Sequence, residues 1–186
     1  NGEPLDELIG NKNSFDYIIA SHVIEHTPNL VSFLTECSNL LKPGGVLSLV
    51  IPDKRFCFDM LRPLSTTGSV LQAHIEKRKK HIPANVFDEK AFACNKNGEI
   101  CWDVWDKSDF KFNHSLAEAY ELFNKAVNTT SYIDAHAWCF TPNSFRLIIQ
   151  DLNELNLIQL KENHFFDTEY CEFFFQLSKK SDFIKR

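Results

Sequence analysis

A chain of 186 residues, 44% hydrophobic and 13% aromatic, has the size and composition of one packed domain and is not a disordered or low-complexity protein. Its formal net charge of −5 gives no general attraction to nucleic acid or an anionic membrane, and no run of about 18 apolar residues is present to span a bilayer. The cysteines (Cys37, Cys57, Cys94, Cys101, Cys139, Cys171) are scattered without a C-x-x-C, the pattern of reduced, buried thiols in a cytoplasmic protein.

Residues 1–14 are a polar lead-in whose Leu5, Leu8 and Ile9 suit a short helical turn. Phe15–Ser21 carries a continuous apolar run (Tyr17, Ile18, Ile19, Ala20), the pattern of a parallel strand covered on both faces. A second such run covers residues 46–51. Between them Leu30, Phe33, Leu34, Cys37, Leu40 and Leu41 recur at helical spacing, with Thr27 as cap, Pro28 at the first helical position and Gly44-Gly45 as the left-handed C-terminal turn. Strand, helix and strand make a right-handed crossover, and ligands of such sheets sit beyond the carboxyl ends of the strands. Those ends are Ser21-His22 and Pro52-Asp53-Lys54-Arg55.

Residues 66–81 predict a helix with Val70, Leu71, His74 and Ile75 inward and a basic end. Residues 83–109 read as irregular, with a small hairpin of 92–94 and 100–102 about an Asn97-Gly98 turn. Residues 114–127 predict a helix with Leu116, Ala119, Tyr120, Phe123 and Val127 along one stripe. Thr141 caps and Pro142 begins another, which buries Phe145, Ile148, Ile149, Leu152 and Leu155 and ends at Asn156. An antiparallel pair, 157–165 and 170–177, closes the chain.

The string FDYIIASHVIEH, then LLKPGG and LSLVIP, resembles the second half of a class I S-adenosylmethionine-dependent methyltransferase. PDKRFCFDMLRPLS and HAWCFTPNSF extend the likeness to a bacterial subgroup associated with cell-surface polysaccharide synthesis. The resemblance covers residues 1–62 and about 132–180. It implies an α/β, Rossmann-like sheet closed by an antiparallel hairpin, with S-adenosylmethionine as cofactor and a small-molecule or saccharide acceptor. Residues 53–134 then form a mostly helical insertion or lid within a single partial domain. The family's glycine-rich cofactor loop is absent from these residues: there is no G-x-G, and only six glycines in all. The expectation is a chain lacking the fold's N-terminal strands, impaired on its own and prone to homodimerise through exposed apolar surface. A catalytically silent scaffold with the same fold is the alternative.

On this resemblance Gly2, Glu3, Ala20, Ser21, His22 and Val23 border the cofactor. Gly2 and Glu3 otherwise belong to a solvated loop. Glu25 and His26 shape the reaction pocket, or else satisfy backbone groups and each other. Lys54, Arg55 and Arg62 are the substrate-binding candidates, Arg55 or Arg62 through bidentate guanidinium contacts to a carboxylate or phosphate, or else these charges make internal salt bridges that fix their loop. Trp138 joins the substrate side. Asp53, His22 and His136 are the candidate bases for a hydroxyl or amine acceptor, and the alternative for His136 is a packed loop residue. A rival chemistry shares these positions: His22-Val23-Ile24-Glu25-His26 matches the H-x-x-E-H pattern of zinc hydrolases. That pattern needs a continuous helix, and the extended run into His22 with a new start at Thr27-Pro28 leaves one turn at most, so no metal is expected.

Overall fold

A computed structural model describes residues 3–103 and 109–179, and the fold follows the apolar runs. Helix α1 (Leu5–Ile9) precedes strand β1 (Phe15–Ser21), a 3-10 turn at Ile24–His26, helix α2 (Leu30–Leu40) and strand β2 (Leu41–Pro52). After a second 3-10 turn (Lys54–Phe56) come α3 (Thr67–Ile75), α4 (Pro83–Phe92), β3 (Cys94–Lys96), β4 (Phe110–Phe112) and α5 (Leu116–Asn128). Helix α6 (Pro142–Glu154) and strands β5 (Leu160–Glu169) and β6 (Glu172–Lys179) complete the order. The main sheet runs β1-β2-β6-β5: β1 is parallel to β2, and the closing hairpin adds β6 antiparallel to β2 with β5 outside it. This is the expected α/β arrangement. Among the described residues no helix is long and apolar enough to cross a membrane.

The core lies between this sheet and helices α2 and α6. Leu47, Leu49 and Ile51 alternate inward from β2, as do Phe173, Phe175 and Leu177 from β6, all fully buried. Phe145 of α6 is the hub, with ring centroids 5.0 Å from Phe140, 5.0 Å from Phe175 and 6.0 Å from Phe173. Thr141 caps α6 through a capping box with Ser144, Pro142 follows, and Asn156 turns the chain at φ 57°, as the sequence predicts. Leu155 departs from its expected place: it stands past the last turn and is exposed.

Several local expectations are corrected. Asn29, not Thr27, caps α2, its Oδ1 accepting from Ser32 N at 3.1 Å. Thr27 instead closes the preceding 3-10 turn, its hydroxyl donating to Ile24 O. Gly44 and Gly45 do not end α2. The helix passes directly into β2, and the glycines lie in an irregularity where the register with β1 moves from Phe15↔Leu41 to Tyr17↔Val46. Gly44 has φ 78°, while a Cβ on Gly45 would stand 2.9 Å from Lys42 O and 3.2 Å from Asp16 O. Both neighbours are backbone, so Gly45→Ala is expected to cost about 1–3 kcal/mol by crowding and Gly44→Ala about 1–2 kcal/mol by left-handed strain. Urea denaturation of the two variants checks this.

Strand β1 is covered on one face only: Ala20 is buried, while Tyr17 and Ile19 are each 68% exposed. Helix α3 stops at Ile75, buries Val70 and Ala73 and leaves Ile75 exposed, so the basic run lies beyond the helix. A further helix, α4, fills part of the stretch expected to be irregular. The Asn97-Gly98 turn exists, with positive φ at both residues and a bridge between Lys96 and Glu99. However, β3 pairs with β4, and Cys101 bridges to Cys57. Helix α5 has its capping box of Ser115 and Glu118, but of its expected stripe only Ala119 is buried. All six cysteines are free, and five of them are buried.

Candidate functional site

Because β1 and β2 are parallel, Ser21 and Pro52 end on the same edge of the sheet, and the antiparallel β6 begins there with Glu172 opposite Pro52. The chain leaves β1 through His22, which occupies the left-handed region at φ 50°. Its amide donates to Val50 O at 3.0 Å, and its Nε2 lies 2.6 Å from Glu172 Oε2. This reversal lets the short 3-10 turn point Glu25 into the protein instead of along the surface.

The segment before α6 then packs across that turn. Ala137 N and Trp138 N both donate to Glu25 O, at 2.7 and 3.3 Å, and Phe140 bridges in parallel to Asp53. These bonds set His136 against His26, ring edge to ring face, with centroids 4.5 Å apart. Each ring has a carboxylate on Nδ1: Asp134 Oδ1 at 3.0 Å from His26, and Asp59 Oδ2 at 2.5 Å from His136. Asp59 is also bound by Arg62, Nη1 to Oδ1 at 2.7 Å, and Arg62 Nη2 donates to His136 O at 2.8 Å. Glu89 accepts from His136 N.

The electrostatics follow from burial. Asp59 loses solvation, which raises its carboxyl, but the hydrogen bond and charge of His136 and the Arg62 guanidinium outweigh this and hold it below the usual range. His136 also loses solvation, yet Asp59 raises it above an ordinary histidine. Glu25 is fully buried, and both of its side-chain oxygens lack a hydrogen-bond partner. Burial pushes its carboxyl up, against the pull of its own backbone amide and the nearby histidines.

The sequence-predicted residues separate into two groups. His22, Glu25, His26 and His136 come together, with His22 Nδ1 3.6 Å from Glu25 Oε1. Ser21 and Val23 are exposed beside them and Ala20 is buried beneath. Glu3 is exposed at a groove shared with Thr27, Pro28 and Asn29; Gly2 lies outside the described residues. The other group turns inward. Asp53 is fully buried and accepts from Arg55 N, Arg55 Nε, Arg55 Nη2 (2.5 Å) and Thr168 Oγ1 (2.6 Å), which leaves no free carboxylate face for a base. Arg55 is correspondingly committed to Asp53, and Lys54 donates to Met60 O at 2.6 Å. Arg62 and Trp138 line a groove of about 320 Å³, but Arg62 is bound to Asp59 and the Trp138 indole donates to Thr27 O at 2.6 Å. The internal-salt-bridge alternative is therefore the observed one for Asp53, Arg55 and Arg62. The zinc-hydrolase geometry is absent, since only Ile24–His26 is helical, as a single 3-10 turn.

Asp59, Glu89, Asp134 and Glu172 orient the cluster and were not singled out as site residues by the sequence. Nothing local in the sequence marks them.

The site is thus a polar cluster beyond the carboxyl edge of an α/β sheet, and part of the chain is similar to known proteins. Residues 1–47 match the family model described as Methyltransferase domain. Over 51 residues, 27% of this chain, the sequence is 41% identical to the ubiquinone biosynthesis O-methyltransferase, mitochondrial, of Rattus norvegicus. Similar solved structures include a SAM-dependent methyltransferase from Methanosarcina mazei (TM-score 0.41, 14% identity, 92% of this chain and 62% of that one). Another is the PH0226 protein of Pyrococcus horikoshii OT3 (TM-score 0.40, 11% identity, 91% and 57%). The chain spans 15% of the length of the rat protein.

Proposed function

We propose that this chain serves S-adenosylmethionine-dependent methyl transfer to an oxygen atom of a small-molecule or saccharide acceptor. The observation that carries the reading is the match of residues 1–47 to the Methyltransferase domain, a segment that contains all of β1 and the turn bearing Glu25 and His26. The rat O-methyltransferase, similar over a stretch of this chain, supports oxygen as the receiving atom.

The residues at the end of β1 suit the cofactor. Ser21 and His22 are exposed, and Val23 offers an apolar side chain, 40% exposed, for the edge of a purine. S-adenosylmethionine supplies an electrophilic methyl group on a sulfonium. The chain's residues then have to orient the acceptor and accept its proton, and most of the rate comes from positioning. Of the three candidate bases, Asp53 is saturated and His22 is tied to Glu172. His136 keeps Nε2 free while Asp59 fixes Nδ1, the arrangement that suits a proton acceptor. The insertion at residues 53–134 supplies Asp59, Glu89 and Asp134 to this cluster and is the natural place for acceptor choice.

Incubation with S-adenosylmethionine carrying a tritiated methyl group and a panel of hydroxylated acceptors, saccharides and phenols included, tests the reading. Label in an alkali-stable ether of one acceptor class is expected, and His136→Ala lowers the rate about 100-fold or more. No label in any acceptor, whether from this chain or from a version extended at its amino end, contradicts it.

A further inference from the structure

The structure assigns to Glu25, His26 and His136 a site for one divalent first-row cation of the zinc type. Each of the three offers one ligand atom, and these atoms lie within 4.8 Å of one another. Around zinc at about 2.1 Å, tetrahedral donors stand roughly 3.4 Å apart, so small torsional adjustments close the cluster on an ion.

Two independent features favour a ligand at this point. The first is Glu25 itself. A fully buried carboxylate is ordinarily paired, because stripping it of water costs several kcal/mol. Here neither oxygen has a hydrogen-bond partner, and two histidine ring nitrogens stand just beyond reach, His22 Nδ1 at 3.6 Å and His26 Nε2 at 4.0 Å. A cation among these groups would satisfy what the protein leaves unmet. The second is the state of the two rings. His26 and His136 both have Nδ1 on a carboxylate, Asp134 and Asp59, which fixes the tautomer that leaves Nε2 with its lone pair. Outer carboxylates holding ligand histidines in this way are the usual supports of a metal site. Two imidazole nitrogens and one carboxylate oxygen suit zinc, iron, cobalt or nickel, and not calcium or magnesium, which take oxygen donors.

This donor set is not the H-x-x-E-H pattern: it replaces His22 by His136, far along the chain. It leaves coordination positions open for the oxygen of an acceptor. With a cation bound, His136 Nε2 serves as a ligand in place of the proton-acceptor role it has in the metal-free site, and the charge of the ion would lower the pKa of a coordinated hydroxyl so that its proton passes to water. That last role rests on the methyl-transfer reading; the site itself does not, and its test contains no S-adenosyl compound.

The chain, stripped with a chelator and dialysed, is titrated with zinc by calorimetry and with cobalt(II) by visible absorption. One equivalent is expected to bind, with cobalt bands of a four- or five-coordinate site. Glu25→Gln and His136→Ala each weaken binding at least 100-fold, and His22→Ala changes it less than threefold. Asp134→Asn, at an exposed residue that leaves the core untouched, weakens it about tenfold through His26. Circular dichroism of each variant separates lost ligands from lost fold. Absence of stoichiometric binding overturns the site, as does binding that survives both Glu25→Gln and His136→Ala or that disappears in a folded His22→Ala.

Discussion

Asp59→Asn is expected to destabilise the protein by about 3–5 kcal/mol, a large fraction of the stability of a domain this size. The reason is the company the carboxylate keeps. Its side chain and that of Arg62 are 2% and 5% exposed, so the guanidinium has no water to fall back on when its anion is removed. The same substitution removes the acceptor on His136 Nδ1 and lets the ring turn. Asn can still form one hydrogen bond but cannot compensate a buried charge, and that residual charge dominates the cost. Urea denaturation of the variant gives the answer: a loss below about 1 kcal/mol would show that Arg62 is solvated after all. Replacing Asp59 and Arg62 together by apolar residues of similar volume is expected to recover part of the loss, since the penalty comes from the unpaired partner.

Phe145→Ala is the second large effect, expected at about 3–5 kcal/mol. Phe145 is completely buried, and its ring touches aromatic rings from the 140 segment and from β6, so it joins α6 to the sheet. Removing it leaves a cavity bounded by Phe140, Phe173 and Phe175, which sit on backbones held by the β2–β6 ladder and by the bridge to Asp53 and cannot collapse inward. Phe145→Leu, which fills more of the space, should cost about half as much or less. Equal losses in the two variants would mean that ring-to-ring geometry, and not volume, carries the contact. Because the 140 segment also sets His136 against Glu25, the alanine variant is expected to weaken the site as well as the fold.

The frame of the protein is legible in its sequence because it rests on local signals. The apolar runs of β1 and β2, the Thr141-Pro142 start and the Asn156 stop of α6 depend only on near neighbours. The expected cap of α2, Thr27, is displaced for a local reason: Asn29 is an equally good cap two residues on, and the 3-10 turn claims Thr27. Helix α4 leaves a weak trace in the sequence because its apolar residues, Val86, Phe87, Ala91 and Phe92, make only a short stripe after Pro83. Gly44-Gly45 looks like a helix stop, but the register with β1 decides its role, and that is a tertiary fact.

The site was legible only in its first half. The peptide around His22, Glu25 and His26 announces itself by position at a strand end. Its completion by His136, Asp59 and Asp134 joins residues 77 and 108 positions apart, and no periodicity reports such a meeting. Asp53 and Arg55 mislead in the opposite sense. Charges gathered at a strand end read as a ligand site, yet here they neutralise one another across two residues and pin the loop to Thr168.

Calorimetric titration with S-adenosylhomocysteine, applied to this chain and to a version extended at its amino end, tests the methyl-transfer account most directly. The account predicts one-to-one binding by the extended version, weakened at least tenfold by Val23→Asp at the end of β1. Absence of binding in both forms would contradict it and leave a catalytically silent interaction domain as the function of this fold.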